Sequence, residues 1–356
     1  MDPSLPTLSR VDLGDPLPQK HAAVIGTGLI GGSIAAGLRS ANWIVRGFDA
    51  DSDVLETAQL RGLIDTRCSS MNDAVDAVDL VIVAAPPKAT IEILANLATR
   101  AVVMDVAGVK EPVLAAAAHL PRFVATHPMA GREISGPDAA SAALFSGASW
   151  VVVEGAPPDA RAMVIDVIET LGARVVEMSA EDHDRAVALI SHLPHLVAGG
   201  LLSAAARNPD SLDLAAGSFR DLTRVGASQP LPWVEILKTN HDAVLHAIAA
   251  LRERLAAIEA AILSDDDSLL TILSDARSTR QGLGSPVAQV RVALADRPGE
   301  LAKVGHAFEA SGVDIRDIQM RHAPYGGGGV LTLSVRPGEE GTLRLALEEQ
   351  GLLLAP

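Results

Sequence analysis

The hexapeptide Gly26-Thr-Gly-Leu-Ile-Gly31 constrains the fold of this chain more than any other segment. It fits the pattern G-x-G-x-x-G, and its context is the one that gives the pattern meaning: a short apolar run at 22–25 precedes it and a helical stretch at 32–39 follows. Gly26 permits the tight turn, Gly28 lets a pyrophosphate approach the backbone, and Gly31 lets the helix pack on the strand. Leu29 and Ile30 stand at the helix N-terminus, whose unpaired N–H groups and partial positive charge suit a phosphate. Asp49 ends the next apolar run, 18 residues beyond Gly31. A carboxylate there accepts ribose hydroxyls and repels a 2′-phosphate, so NAD is expected rather than NADP. Arg46 lies close in sequence, and a regular strand puts it on the face opposite Asp49.

Around this motif, residues 22–25, 44–48, 80–84, 101–105, 122–126 and 149–153 read as strands separated by helices or turns. That alternation predicts an α/β Rossmann-type, doubly wound parallel sheet over residues 20–178. Residues 183–206 and 241–263 are long, rich in Ala and Leu, and helical in period, so 179–281 is expected to be an all-α substrate and dimerisation domain. Residues 264–281 are acidic and then rich in Ser and Arg, and 282–286 read as a linker. Residues 286–356 read as a small α+β unit with the order βαββαβ. Residues 1–19 are polar and Pro-rich and are expected to form a disordered tail, not a signal peptide.

A net charge of −15 argues against nucleic acid as a partner. Any anionic substrate must therefore meet local Arg or His. The single cysteine, Cys68, leaves no intrachain disulfide and no thiolate cluster. No uninterrupted apolar run of about 18 residues occurs, so no membrane partner is expected and a cytoplasmic protein follows.

The candidate chemistry lies in Ala125-Thr-His-Pro-Met-Ala-Gly-Arg-Glu-Ile-Ser-Gly136. It presents His127 on a turn, with Arg132 and Glu133 close behind, about 100 residues after the fingerprint. Oxidising a carbinol by hydride transfer requires a base for the hydroxyl proton, and a histidine suits that role. Farther on, Ile190-Ser-His-Leu-Pro-His195 places His192 and His195 on one helix face. Pro194 is expected to kink that helix. A metal is not expected, because no third ligand stands at a recognisable spacing. His183 reads as a helix-start residue, compatible with simple capping. Phe219-Arg-Asp-Leu-Thr-Arg224 supplies arginines that can clamp a carboxylate through two parallel hydrogen bonds. Ala84-Ala-Pro-Pro87 would shape the crevice beside the cofactor.

Taken together, the motifs at 26–33, 105–110, 126–136, 191–195 and 219–233 resemble the prephenate dehydrogenase family, which includes arogenate and cyclohexadienyl dehydrogenases. The resemblance spans residues 22–240 and implies NAD-dependent oxidative decarboxylation of prephenate to 4-hydroxyphenylpyruvate in tyrosine synthesis. By the same match His127 is the catalytic base, Arg224 holds a substrate carboxylate, and His195, His192 and Glu133 line the substrate pocket, with His183 a weaker candidate. Many members read Asp-Val-x-Ser-Val-Lys where this chain reads Asp105-Val-Ala-Gly-Val-Lys110, so Gly108 replaces a serine hydroxyl. Gln229 stands where an acidic residue is frequent, which leans toward prephenate over arogenate.

The C-terminal unit, with Asp296-Arg-Pro-Gly-Glu-Leu301 and Gly312-Val-Asp-Ile315, looks like an ACT domain. That resemblance implies a tyrosine effector site around Asp296, Gly299 and Asp314, or else an oligomerisation module without ligand. The Ala-rich helices suggest a homodimer. Two other functions fit parts of the sequence. One is a β-hydroxyacid or imine-reducing dehydrogenase, with Lys238 as the helical lysine. The other is a non-catalytic sensor of NAD and amino acids.

Overall fold

The computed structural model describes residues 19–131, 136–208, 210–283, 287–322 and 328–355. The expected tail, all but Gln19, and the candidates Arg132 and Glu133 lie outside the described residues, as does most of the 282–286 linker. The chain divides into two compact units, Met1–Glu253 and Arg254–Pro356.

The first unit opens with six parallel strands: β1 (His21–Ile25), β2 (Ile44–Phe48), β3 (Thr66–Arg67), β4 (Leu80–Val83), β5 (Val102–Asp105) and β6 (Phe123–Val124). They lie in the order β3-β2-β1-β4-β5-β6. Helices cover both faces, which is why β4 and β5 are buried at every residue and read as continuous apolar runs. The two faces carry separate cores. Ala22 and Val24 pack with Ile34, Leu38 and Trp150 on one side. Ala23 and Ile25 pack with Leu94, Val113 and Phe123 on the other. The strand order reverses between β1 and β4, and the crevice beyond the carboxyl ends of such strands is where ligands bind.

The stretch 122–126, expected as one strand, is two. β6 ends at Val124, and β7 (Thr126–Pro128) leaves the parallel sheet to pair antiparallel with β8 (Ser149–Val153). β8 in turn pairs in parallel with β9 (Arg174–Met178), forming a second sheet in the order β7-β8-β9. The 149–153 run is therefore a strand, but not of the main sheet. β3 and β9, too short or too polar to stand out in sequence, complete the two sheets.

Beyond β9 the first unit is helical. The expected kink at Pro194 is instead a π-helical turn, Ala188–His192, between the helices Ala180–Val187 and Leu193–Ala205. A widened turn of this kind redirects side chains without breaking the rod, and such turns gather at functional sites. The combined run Ala180–Ala205 has a mean hydropathy of 1.5 over its most apolar window, long enough to cross a bilayer by length alone. It nevertheless buries His183, Asp184 and His192, and it leaves Leu189, Ile190, Val197 and Leu201 exposed.

In the second unit, the Ser- and Arg-rich end of the region expected to be all-α forms a helix, Ser268–Gly282, which runs into the expected linker. Four strands follow: β10 (Ala288–Leu294), β11 (Ile315–His322), β12 (Gly329–Val335) and β13 (Leu353–Ala355). With the helices Glu300–Ser311 and Glu340–Glu349 they give the order βαββαβ. All strand pairs are antiparallel, in the order β11-β12-β10-β13. Val290, Val292, Leu331 and Leu333 alternate inward to meet Val304, Leu343 and Leu347 of the helices.

Candidate active site

The carboxyl edge of the parallel sheet carries the dinucleotide turn. Gly26 follows β1 with φ of +92°, and a Cβ there would run into the Ala84 carbonyl. Gly31 packs so tightly on the Gly26 backbone and Val24 that no side chain fits. Gly28 is different: a Cβ on it would meet nothing within 4 Å, so the turn is open where a phosphate would approach. Gly28 caps the helix Leu29–Ser40 without any side-chain partner, and no acidic residue lies in its first turn. Those are the features a pyrophosphate needs. At the tip of β2, Asp49 Oδ2 accepts from the Thr27 amide at 2.7 Å, which holds the carboxylate over the turn. Arg46 is drawn away, paired with Asp73 at 2.8 Å and donating to the Asp76 carbonyl at 2.9 Å. The residues present therefore fit NAD, and Arg46 is engaged elsewhere rather than waiting for a 2′-phosphate.

Two strands along the same edge, Asp105 ends β5 with its side chain fully buried. Oδ1 accepts from the Thr126 amide at 3.0 Å, and Oδ2 accepts from the Ala107 amide at 2.9 Å and from the Lys110 ammonium. Lys110, equally buried, also donates to the Thr126 carbonyl at 2.6 Å. The Thr126 hydroxyl donates to the Asp105 carbonyl at 2.5 Å and accepts from the Trp150 indole at 2.9 Å. Burial pushes Asp105 up and Lys110 down, while each charge holds the other ionised. Thr126 is thus fixed on every side, and His127 follows it directly.

The His127 ring meets His183: Nδ1 and Nε2 are 2.9 Å apart, with the rings at 78°. Burial, with help from His183, Lys110 and His192, holds His127 well below the usual histidine range, so it is neutral near pH 7. On its other side is position 108, where a Cβ would lie 3.6 Å from both Cε1 and Nε2. His183 is not a capping residue. Ser179 caps that helix, accepting from the Asp182 amide at 3.0 Å, and His183 is 1% exposed inside the site. Its Nδ1 lies 2.7 Å from Asp184 Oδ1. Asp184, which sequence reasoning did not single out, also accepts from the Lys110 amide at 2.7 Å and the Glu111 amide at 2.9 Å.

His192 and His195 come together with Trp233. His195 stacks on the indole, with centroids 3.4 Å apart and planes at 27°, and His192 meets it edge-on at 6.3 Å. Asn240 approaches His192 Nδ1 at 3.3 Å and donates to the Asp184 carbonyl at 2.9 Å. Burial lowers His192 to about 4. His195 Nδ1 donates to the Ser191 carbonyl at 3.1 Å; burial lowers its pKa, and the nearby Arg224 charge acts in the same direction. Arg224, on the turn Arg224–Ala227, is thereby within electrostatic reach of the histidines. Trp233, which only closes the 219–233 motif in the sequence, and Asn240 were not singled out there as site residues. A lone Trp or Asn on a helix has no pattern of its own, and only the fold brings it to the histidines.

Among the effector candidates, Asp296 and Gly299 line a hollow of about 270 Å³ with Pro298, Leu301, Met320 and His322. Asp314 instead binds Arg316 at 2.9 Å and Arg336 at 2.7 Å. Among the described residues no group of His, Cys, Asp and Glu is arranged to hold a metal.

Comparison with known proteins agrees with this geometry. Residues 34–177 match the family model "Prephenate dehydrogenase, nucleotide-binding domain", and 179–275 match "Prephenate dehydrogenase, dimerization domain". The chain is 30% identical to prephenate dehydrogenase of Bacillus subtilis (strain 168) over 342 residues, covering 88% of this chain and 92% of that one. It is 35% identical to cyclohexadienyl dehydrogenase of Zymomonas mobilis over 74% of this chain and 96% of that one. A crystal structure of prephenate dehydrogenase from A. aeolicus, in complex with hydroxyphenyl propionate and NAD+, superposes with a TM-score of 0.69 at 27% identity, over 76% of this chain and all of the other. The chain belongs to the prephenate dehydrogenase family.

Proposed function

We propose that this oxidoreductase carries out NAD-dependent oxidative decarboxylation of prephenate, with His127 as the base. The observation that carries the reading is a neutral, half-buried imidazole, with Nε2 beside Gly108, fixed next to the carboxyl edge of the sheet that carries the dinucleotide turn. Bound NAD supplies the nicotinamide that accepts hydride from the ring carbon bearing the hydroxyl. The hydroxyl proton goes to His127 Nε2. The electrons of the carbon–carboxylate bond enter the ring as carbon dioxide leaves, and aromatisation drives the step. Arg224 holds a substrate carboxylate, and His195, stacked on Trp233, closes the pocket wall with His192. Glu133 joins that wall by family match.

Gln229 in place of an acid favours the keto side chain of prephenate over the ammonium of arogenate. The test is NADH or NADPH formation with prephenate and arogenate supplied separately, each with NAD or NADP. Prephenate with NAD is expected to turn over fastest. Arogenate turning over alone would change the substrate, and no turnover in any mixture would leave the sensor reading.

The exposed Leu189, Ile190, Val197 and Leu201 support a homodimer formed through the matched dimerization domain. The βαββαβ order of the second unit supports an ACT-like module, with tyrosine taken up at the hollow around Asp296 and Gly299. Such an effector acts through different affinity for two states of the enzyme. Loss of tyrosine inhibition in Asp296→Ala, with turnover retained, is the expected result; unchanged inhibition would place the effector elsewhere.

A further inference from the structure

A histidine can serve as a base at Nε2 only if its proton sits on Nδ1. In this molecule the choice is set two residues away. The Asp184 side chain is 2% exposed and is surrounded by donors: the Lys110 and Glu111 amides and His183 Nδ1. An ionised carboxylate only accepts, so His183 Nδ1 must donate. A neutral His183 then has a bare Nε2, and the atom facing it at 2.9 Å is His127 Nδ1. That contact is a hydrogen bond only if His127 carries its proton there. The lone pair of His127 is left on Nε2, toward the space beside Gly108.

We infer that His183 and Asp184 are positioning residues that lock His127 into the Nδ1–H form, the one form able to take the substrate proton. The inference rests on the reading of His127 as the base. During turnover the hydroxyl proton moves to His127 Nε2, the C–H electron pair moves to the nicotinamide, and the C–C pair stays in the ring. The imidazolium so formed keeps its Nδ1–H on His183, and the Asp184 charge lies directly behind. No proton needs to pass to Asp184; after product leaves, Nε2 returns its proton to water. Asp184 stands on the helix Ala180–Val187, whereas two of its donors belong to the segment after β5. One carboxylate therefore joins the nucleotide-binding sheet to the helical region at the point where the base is oriented.

The test compares His183→Leu, His183→Gln and the wild-type full-length protein. Leucine removes the acceptor; glutamine restores one through its side-chain oxygen. His183→Leu is expected to lower kcat by about 100-fold, the scale of a lost general base, with KM for prephenate and Kd for NAD nearly unchanged. His183→Gln is expected to recover most of that loss. Proton–nitrogen NMR of histidine-labelled protein, with the His127 signals assigned from His127→Asn, should show the Nδ1–H form in wild type and in His183→Gln, and its loss in His183→Leu. Wild-type turnover in His183→Leu, equal damage from Gln and Leu, or an Nε2–H form of His127 in the wild type would each overturn the inference. Should His183→Leu fail to fold, the glutamine variant and the wild-type spectrum still decide. The underlying reading fails differently: His127→Asn would then turn over normally whatever its tautomer.

Discussion

Gly108 lies against the His127 ring so closely that a Cβ on it would make an ordinary 3.6 Å contact with Nε2, displacing nothing. Position 108 thus has room for a small side chain, and the family resemblance implies a serine there. Gly108→Ser is expected to fold as the parent does and to raise kcat about 2- to 10-fold, the worth of one added hydrogen bond in the transition state. Steady-state NADH formation checks this, and a drop in kcat would mean that the vacant volume is itself used by substrate.

His127→Asn removes the proposed base but keeps a polar side chain. Turnover should fall by at least about 100-fold while NAD binding, measured by calorimetry, stays as it was. Near-normal turnover would remove His127 from the mechanism.

The doubly wound sheet was legible because fully buried parallel strands such as β4 and β5 are continuous apolar runs, and because Gly26 and Gly31 are demanded by contacts no side chain could make. His127, His192, His195 and the Arg224 turn were legible as residue types in motifs. What the sequence hid was partnership. Asp184 reads as one of three acids around His183, and nothing local marks it as the carboxylate that is buried; the turn of the helix decides that. The break after Val124 was hidden too, because residues 122–126 are strand-like throughout and only the pairing partner changes. β9 was passed over because Arg174 and Glu177 dilute a strand that is only half-buried.

Lys110 and Asp105 form a fully buried ion pair, and the Lys110 ammonium also donates to the Thr126 carbonyl. Lys110→Met should destabilise the protein by about 3–5 kcal/mol, because Asp105 would be left charged and buried. Urea unfolding measures this. The double variant Lys110→Met with Asp105→Asn should be less damaged than the single one.

Acid should weaken the fold through His192. Its pKa is about 4 when folded against 6.5 as the reference, so the unfolded chain binds the proton first as pH falls. Stability is complete above pH 6.5 and declines between 6.5 and 4, by up to about 1.4 kcal/mol per pH unit. His127, also lowered, acts in the same direction. The urea midpoint should fall between pH 7 and pH 5, and by less in His192→Gln. A midpoint indifferent to pH in the wild type would contradict the burial of these rings.

The chain changes sheets at Ala125, whose carbonyl is held by the Val153 amide at 2.9 Å, and the next residue is tied to Asp105 from both amide and hydroxyl. His127 therefore hangs from a seam between two sheets that share one apolar core. Its immobilisation is completed once, when the chain folds, and does not recur with each substrate. An enzyme arranged this way need not order this ring at every cycle, and mutations that loosen the seam should slow the chemistry while leaving NAD binding intact.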